Sequence, residues 1–308
     1  MGTPEFAVAS LKALVNAGCN IVAVVTAPDK PAGRGLQLTE SAVKKYAVAN
    51  NLPVLQPEKL KSPDFIETLK KINADIQIVV AFRMLPEIVW NMPPMGTINV
   101  HGSLLPHYRG AAPINWAIIN GEKETGVTTF KLKHEIDAGN ILLQTTIAIQ
   151  ENETAGEIHD TMKEAGAELL LKTLQELAEG KIKEQKQDDL IDNSLIKHAP
   201  KIFTETCKID FAKSTEQVHN LIRGLSPFPG AFTYIDNKIV KIFISRKEII
   251  HHTNSIGTII SDGKTFLKFT CLDGYIHVLE LQLEGKKRMK IEDFLRGNKI
   301  NVGVKYNA

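Results

Sequence analysis

Ile76-Gln77-Ile78-Val79-Val80-Ala81 is a run of β-branched and apolar residues broken by a single glutamine. A strand with one wet face alternates apolar and polar side chains. A strand covered on both faces has no need to, so continuous hydrophobicity points to a parallel strand inside an α/β sheet. Working outward, residues 21–26 read as another buried strand, 97–100 as a shorter one, and 127–132 and 141–149 as two more. Between them lie helical patterns at 4–15, 41–50, 63–72, 113–120 and about 154–178. This alternation predicts α/β architecture, a doubly wound, mostly parallel sheet occupying residues 1–182. Residues 183–200 (KEQKQDDLIDNSLIKHAP) are polar, lack periodicity and end in proline, as a linker does. In 201–308 the pattern becomes one helix at 215–225 followed by short strands near 231–235, 238–244, 257–260, 265–269 and 275–283, with Asp-Asn, Asp-Gly and Gly turns between them. That spacing predicts a small β-barrel.

The 308 residues are 43% hydrophobic and 23% charged, which suits a globular chain of about two domains and excludes disordered or fibrous classes. No stretch is long and apolar enough to suggest a membrane span, and the first residues carry no leader pattern, so the sequence reads as cytoplasmic. Cys19, Cys207 and Cys271 are too scattered for a disulfide framework or a zinc site and are expected as buried thiols. Charge divides the chain. Residues 1–200 hold 20 Lys+Arg against 24 Asp+Glu, whereas 201–308 hold 17 against 11, so −4 is followed by +6. A basic second module fits either a polyanion partner or a solvated basic face.

The chemistry concentrates between Asn99 and Asp137. Side chains two apart on a strand share a face, so Asn99 and His101 project together at the strand's C-terminal end, the edge where open α/β sheets bind ligands. An amide and an imidazole aimed at one point can hydrogen-bond a developing oxyanion and move a proton, as acyl transfer to an amine requires. The same pair could also simply cap a turn. Asp137 could orient His101 or relay a proton, and Asp137-Ala138-Gly139 is equally an ordinary turn sequence. His101, His107 and His134 form neither an HxH nor an HExxH pair, so no metal is expected. Residues 27–38 (APDKPAGRGLQL) read as a mobile basic loop carrying Lys30 and Arg34, in which Arg34, between two glycines, could reach a phosphate or base edge or simply be a solvated surface side chain. Lys286, Lys287 and Arg288 form the preferred phosphate-contact cluster of the basic module.

These pieces resemble the methionyl-tRNA formyltransferase family over nearly the whole chain. The matching elements are Gly2-Thr3-Pro4-Glu5-Phe6, residues 30–35 (KPAGRG), 99–106 (NVHGSLLP), 108–113 (YRGAAP), 124–127 (ETGV) and 137–139 (DAG), in family order. The resemblance implies a Rossmann-like formyltransferase fold with a C-terminal OB-like barrel. It implies 10-formyltetrahydrofolate as co-substrate, no metal, and initiator Met-tRNA as partner, with no DNA or membrane contact. Asn99, His101 and Asp137 match the catalytic trio. Ser103, Leu104, Leu105 and Pro106 match the folate loop, and Phe82, Arg83, Met84 and Leu85 match the wall of the pterin pocket. Lys30 and Arg34 would enter the acceptor arm, and the barrel would hold tRNA through phosphates. A monomer is expected.

Three rival readings stand beside this one. They are a formyltransferase acting on a purine ribonucleotide or an amino sugar, a formyltetrahydrofolate hydrolase, and a non-catalytic tRNA-binding protein. In the resembling family the Gly-Thr-Pro element follows a short apolar strand, whereas only Met1 precedes Gly2 here. The sequence as given is therefore expected to lack one interior strand, through an internal start or a truncated chain, with neighbouring backbone groups left unpaired.

Overall fold

The computed structural model describes residues 1–32 and 37–300. It divides into two compact units, Met1–Gly110 with Gly126–Ile147 and His159–His198, and Ala111–Thr125 with Ala148–Ile158 and the chain from Ala199 onward.

In the first unit the Gln77–Val80 strand lies parallel to Thr97–His101, with Val79 opposite Asn99. Thr97–His101 in turn runs antiparallel to Glu124–Lys131, with Asn99 opposite Phe130 and His101 opposite Thr128. Ile141–Ala148 completes this four-stranded sheet. The continuous hydrophobicity of 76–81 is explained by burial on both faces: Gln77, Val79 and Val80 are all nearly inaccessible. Helix Pro63–Ile72 places Phe65, Ile66 and Leu69 at helical spacing against Val25, Val79 and Val89. Its start is set by proline in the first turn and its end by Asn73 in the left-handed region. Helix Ala42–Ala49 is capped by the Ser41 hydroxyl, which accepts from Lys44 N at 3.0 Å.

The strand expected over 21–26 is reduced to Val24–Val25, paired in parallel with Val54–Leu55. Met1 and Gly2 occupy the expected interior position. Gly2 N donates to Val25 O at 3.0 Å, Val80 N donates to Met1 O at 2.9 Å, and Gly2 bridges Val80 in parallel. A cavity of about 310 Å³ lies beside them, lined by Met1, Gly2, Leu11, Leu14, Val22, Ile76 and Ile78 among others. Side chains around such a void lose dispersion partners on one side. Cys19 is exposed and corrects the expectation of three buried thiols; Cys207 and Cys271 are buried. It lies just beyond Gly18, past the end of helix Glu5–Asn16, where the chain turns at the surface.

The basic loop at 27–38 is also corrected in part. Lys30–Ala32 and Gln37–Thr39 pair antiparallel, so its two arms are a ladder rather than irregular chain. Arg34 lies outside the described residues.

The second unit is an antiparallel sheet in the order Ala231–Ile235, Lys238–Ile249, Gly274–Leu283, Leu267–Thr270, Ile259–Ser261, with Met289–Lys290 added beside Gly274–Leu283. The Lys238–Ile249 strand is longer than the sequence suggests. Register shifts between Ile242 and Ser245 let it bend and continue past the apolar run. Helix Thr215–Gly224, closed by a Ser214/Gln217 capping box, covers the core formed by Ile209, Phe211, Ile222, Ile242, Phe269 and Ile276. Helix Pro113–Ile119 belongs to this unit and packs closely on Thr215–Gly224. Asn115 Nδ2 donates to Gly224 O at 2.7 Å, and a Cβ on Gly224 would sit 2.7 Å from Ile119 Cγ1.

Candidate active site

Thr97, Asn99 and His101 alternate onto one face of their strand, while Ile98 and Val100 bury themselves on the other. Phe130, directly opposite Asn99, shares that face and meets the His101 ring edge-on, with centroids 6.3 Å apart at 84°. His101 is 7% exposed. Its Nε2 lies 2.9 Å from the carbonyl oxygen of Tyr108; a carbonyl only accepts, so Nε2 carries a hydrogen and donates it. The other ring nitrogen, Nδ1, faces Asp137 Oδ2 at 3.8 Å.

Both partners of the imidazole sit in left-handed backbone conformations, Tyr108 at φ 61° and Asp137 at φ 51°. Such residues persist only where their surroundings over-determine them. Asp137 Oδ2 accepts from Gly110 N at 2.9 Å, and its main-chain carbonyl accepts from Gln187 Nε2 at 2.8 Å. The same amide group donates to Gly139 O at 2.8 Å, while Gln187 Oε1 accepts from Arg109 Nε at 2.9 Å. Gly139 is obligatory here, because a Cβ would fall 1.6 Å from Lys131 O. The Asp-Ala-Gly sequence is thus a turn, as its composition suggests, and one that delivers its carboxylate to the histidine.

Gln187 escaped the sequence reading because it lies in the aperiodic stretch 183–200, where no spacing pattern marks a side chain. Yet it is 2% exposed and reaches loops 48 and 50 positions away. The same stretch returns to the site at Lys197, whose carbonyl accepts from Tyr108 N and whose amide donates to His107 Nδ1 at 3.3 Å.

The folate-loop candidates have mixed placements. Ser103 is fully buried; its Oγ donates to His107 O at 2.7 Å and its carbonyl accepts from Thr128 Oγ1 at 2.6 Å. Leu105 is buried, with its amide donating to Thr128 Oγ1 at 3.1 Å and its carbonyl accepting from Gln144 at 2.8 Å. Pro106 is buried and Leu104 partly accessible. These hydrogen bonds fix the loop that carries His101 onward.

Of the wall candidates, Phe82 and Arg83 border a cavity of about 480 Å³ with Thr3, Pro28, Asp29 and Lys30, just past the C-terminal ends of the parallel strands. Arg83 lies 5.5 Å from the Phe82 ring centre and donates through Nη1 to Glu58 O at 2.8 Å. Leu85 instead joins the core beside Val79, and Met84 is 74% exposed. Lys30 is exposed on its ladder. Lys286 and Lys287 are exposed in the second unit, while Arg288 pairs with Glu280 at 2.6 Å and covers the Phe243 ring at 4.7 Å. Among the described residues no three His, Cys, Asp or Glu side chains gather as a metal site, and no helix is long and apolar enough to cross a membrane.

Residues 1–174 match the formyl transferase family, and 201–299 match the formyl transferase C-terminal domain. A methionyl-tRNA formyltransferase of Bacteroides fragilis is 50% identical over 313 aligned positions, covering 100% of this chain and 97% of the relative. One of Azobacteroides pseudotrichonymphae is 52% identical, covering 97% and 94%. Among solved structures, an N-formyltransferase of Helicobacter canadensis aligns at TM-score 0.66 with 21% identity, over 94% of this chain and 97% of its own. A sugar 3N-formyl transferase aligns at 0.67 with 22% identity, over 93% and 97%, so the fold is shared even where little sequence is. Matched in both of its parts and at half of its positions along its full length, the chain belongs to the formyl transferase family.

Proposed function

We propose that this enzyme transfers the formyl group of 10-formyltetrahydrofolate to the α-amino group of methionine esterified to initiator tRNA. The observation that carries the reading is the His101–Asp137 pair, 3.8 Å apart and fastened beside Asn99 at the ligand-binding edge of the sheet. The shared name of the full-length relatives supports the acceptor. The amine attacks the formyl carbon, a C–N bond forms, and the carbonyl electron pair moves to oxygen. The Asn99 amide and the protonated His101 ring stabilise that oxyanion. Asp137 balances the imidazolium charge and helps route the amine's proton towards N10 of the folate; collapse of the oxyanion then re-forms the carbonyl and breaks the bond from the formyl carbon to N10, which leaves with that proton as tetrahydrofolate. The 480 Å³ cavity at Phe82 and Arg83 has the size of a small-molecule site, with an aromatic face suited to a flat heterocycle.

In this reading residues 1–182 do the chemistry, 183–200 link, and 201–308, with Lys286, Lys287 and Arg288, hold tRNA beside a contribution from Lys30 and Arg34. The protein works as a cytoplasmic monomer. The test is incubation of purified protein with 10-formyltetrahydrofolate and Met-tRNA. Formylmethionine released from the tRNA is the expected product. Formate release that needs no tRNA would convert the reading to a hydrolase, and no turnover of either kind would overturn it.

A further inference from the structure

Phe228 is 81% exposed, the highest exposure of any large apolar side chain among the described residues. A phenylalanine gains by burial, and the other aromatic residues of this unit's core, Phe211, Phe232, Phe269 and Phe294, are buried. Phe228 is held out by its neighbours on a fixed loop. Ser226, itself buried, accepts from Gly156 N at 3.0 Å, and Gly230 N closes the loop onto Leu225 O at 2.9 Å. Beyond the ring, Pro229 O accepts from Lys241 Nζ at 2.7 Å. Gly230 at φ 89° lets the chain pass so closely over Phe243 that a Cβ would lie 3.1 Å from its ring.

The surface next to this loop is cationic. Val240 and Ile242 enter the core, so Lys241 and Phe243 lie on the outer face of their strand. The Arg288 guanidinium stacks on Phe243 at 4.7 Å, and Lys286 and Lys287 precede it in the exposed turn between strands. One buried ring therefore separates the Phe228 loop from the basic cluster. An outward-facing aromatic held on a hydrogen-bonded loop beside several cations is the pattern of single-stranded nucleic acid recognition, in which a base stacks on the ring and the adjoining phosphates meet the cations. A protein partner would call for a wider apolar patch.

We propose that Phe228 is a stacking platform for an unpaired nucleotide of the tRNA substrate, with Lys286 and Lys287 on the neighbouring phosphates; the inference rests on the tRNA reading above. Stacking and charge separate by salt. Phe228→Ala weakens tRNA binding by about five- to hundredfold and raises KM for Met-tRNA, leaving the slope of log K against log salt in place, because no phosphate contact is lost. Lys286→Ala with Lys287→Ala lowers that slope by about 1.4 to 1.8. Phe228→Trp restores affinity, and the fluorescence of the introduced indole is quenched by a short oligoadenylate. A Phe228→Ala protein that binds tRNA within twofold of wild type, or an indole signal from Phe228→Trp that is indifferent to the oligonucleotide, overturns the platform while formylation by the wild-type chain keeps the tRNA reading intact. A wild-type chain that neither binds nor formylates Met-tRNA overturns both.

Discussion

Asp137→Asn removes one charge while keeping the shape of the side chain. Asparagine retains an oxygen able to accept from Gly110 N, now 2.9 Å from the carboxylate, so the turn keeps its fastening. What it loses is attraction to the imidazolium that forms as the oxyanion develops. At the 3.8 Å separation of Asp137 Oδ2 and His101 Nδ1, and with an effective dielectric of about 20, that attraction is about 4 kcal/mol. At 1.36 kcal/mol per decade it corresponds to about a thousandfold in rate, inside the usual range for a positioned acid–base group. The assay is single-turnover formyl transfer to Met-tRNA at saturating folate, with melting temperature measured alongside. The expectation is a loss of about three decades in rate with little change in stability. An Asp137→Asn enzyme within tenfold of wild type, with the large loss appearing only in Asp137→Ala, would show that the carboxylate merely fastens Gly110 and would refute its electrostatic role.

Gln187→Leu strips two carbonyls and the Arg109 Nε of their partner, at about 1–3 kcal/mol for each buried group left unpaired, so both melting temperature and kcat should fall. Wild-type kcat in a destabilised Gln187→Leu protein would remove its positioning role. His219 is held neutral in the second unit: burial first, then Arg223 and Lys247, push its pKa down to about 4 from an ordinary 6.5. The unfolded chain binds the extra proton between those values, so this contribution is complete above pH 6.5 and fades by about 3 kcal/mol as pH falls to 4. Urea melts from pH 7.5 to 4.5 should show that slope in wild type and a flatter one in His219→Leu; equal slopes would place the acid sensitivity elsewhere. Ser10 Oγ is buried with no hydrogen-bond partner among the described residues, so Ser10→Ala should raise stability by about 1 kcal/mol, and a lower melting temperature would argue against an orphaned hydroxyl.

Where local pattern and tertiary environment agree, the elements were legible in the sequence. The 63–72 helix has the same bounds in both, because its apolar spacing, first-turn proline and left-handed exit all act within the segment. The 76–81 run is a covered strand for the reason its composition suggests. Other features depend on distant partners. Residues 21–23 are apolar enough for a strand, but they border the 310 Å³ cavity and only Val24–Val25 is laddered. The arms of the 27–38 segment look like loop in proline and glycine content and become strands only by pairing with each other. Gln187 carries no local signal at all.

The candidate site divides along the same line. That Asn99 and His101 share a face follows from strand periodicity and needs no knowledge of the rest of the chain. What separates a proton-moving histidine from a turn-capping one is what meets its two nitrogens, and those partners come from elsewhere: the Tyr108 carbonyl and the Asp137 carboxylate, each in left-handed backbone. Each such conformation costs about 1–3 kcal/mol, which a solitary turn would shed by relaxing. Here Tyr108 is tied by Lys197, and Asp137 by Gly110 and Gln187, so relaxing either breaks hydrogen bonds to another segment. The polar stretch 183–200 is therefore more than a tether, because two of its residues fix the loops that present a hydrogen-bond acceptor and a charge to one imidazole. It follows that lengthening the chain between Gln187 and Lys197 should be tolerated only if both residues still reach their loops, whereas an indifferent spacer would accept it freely.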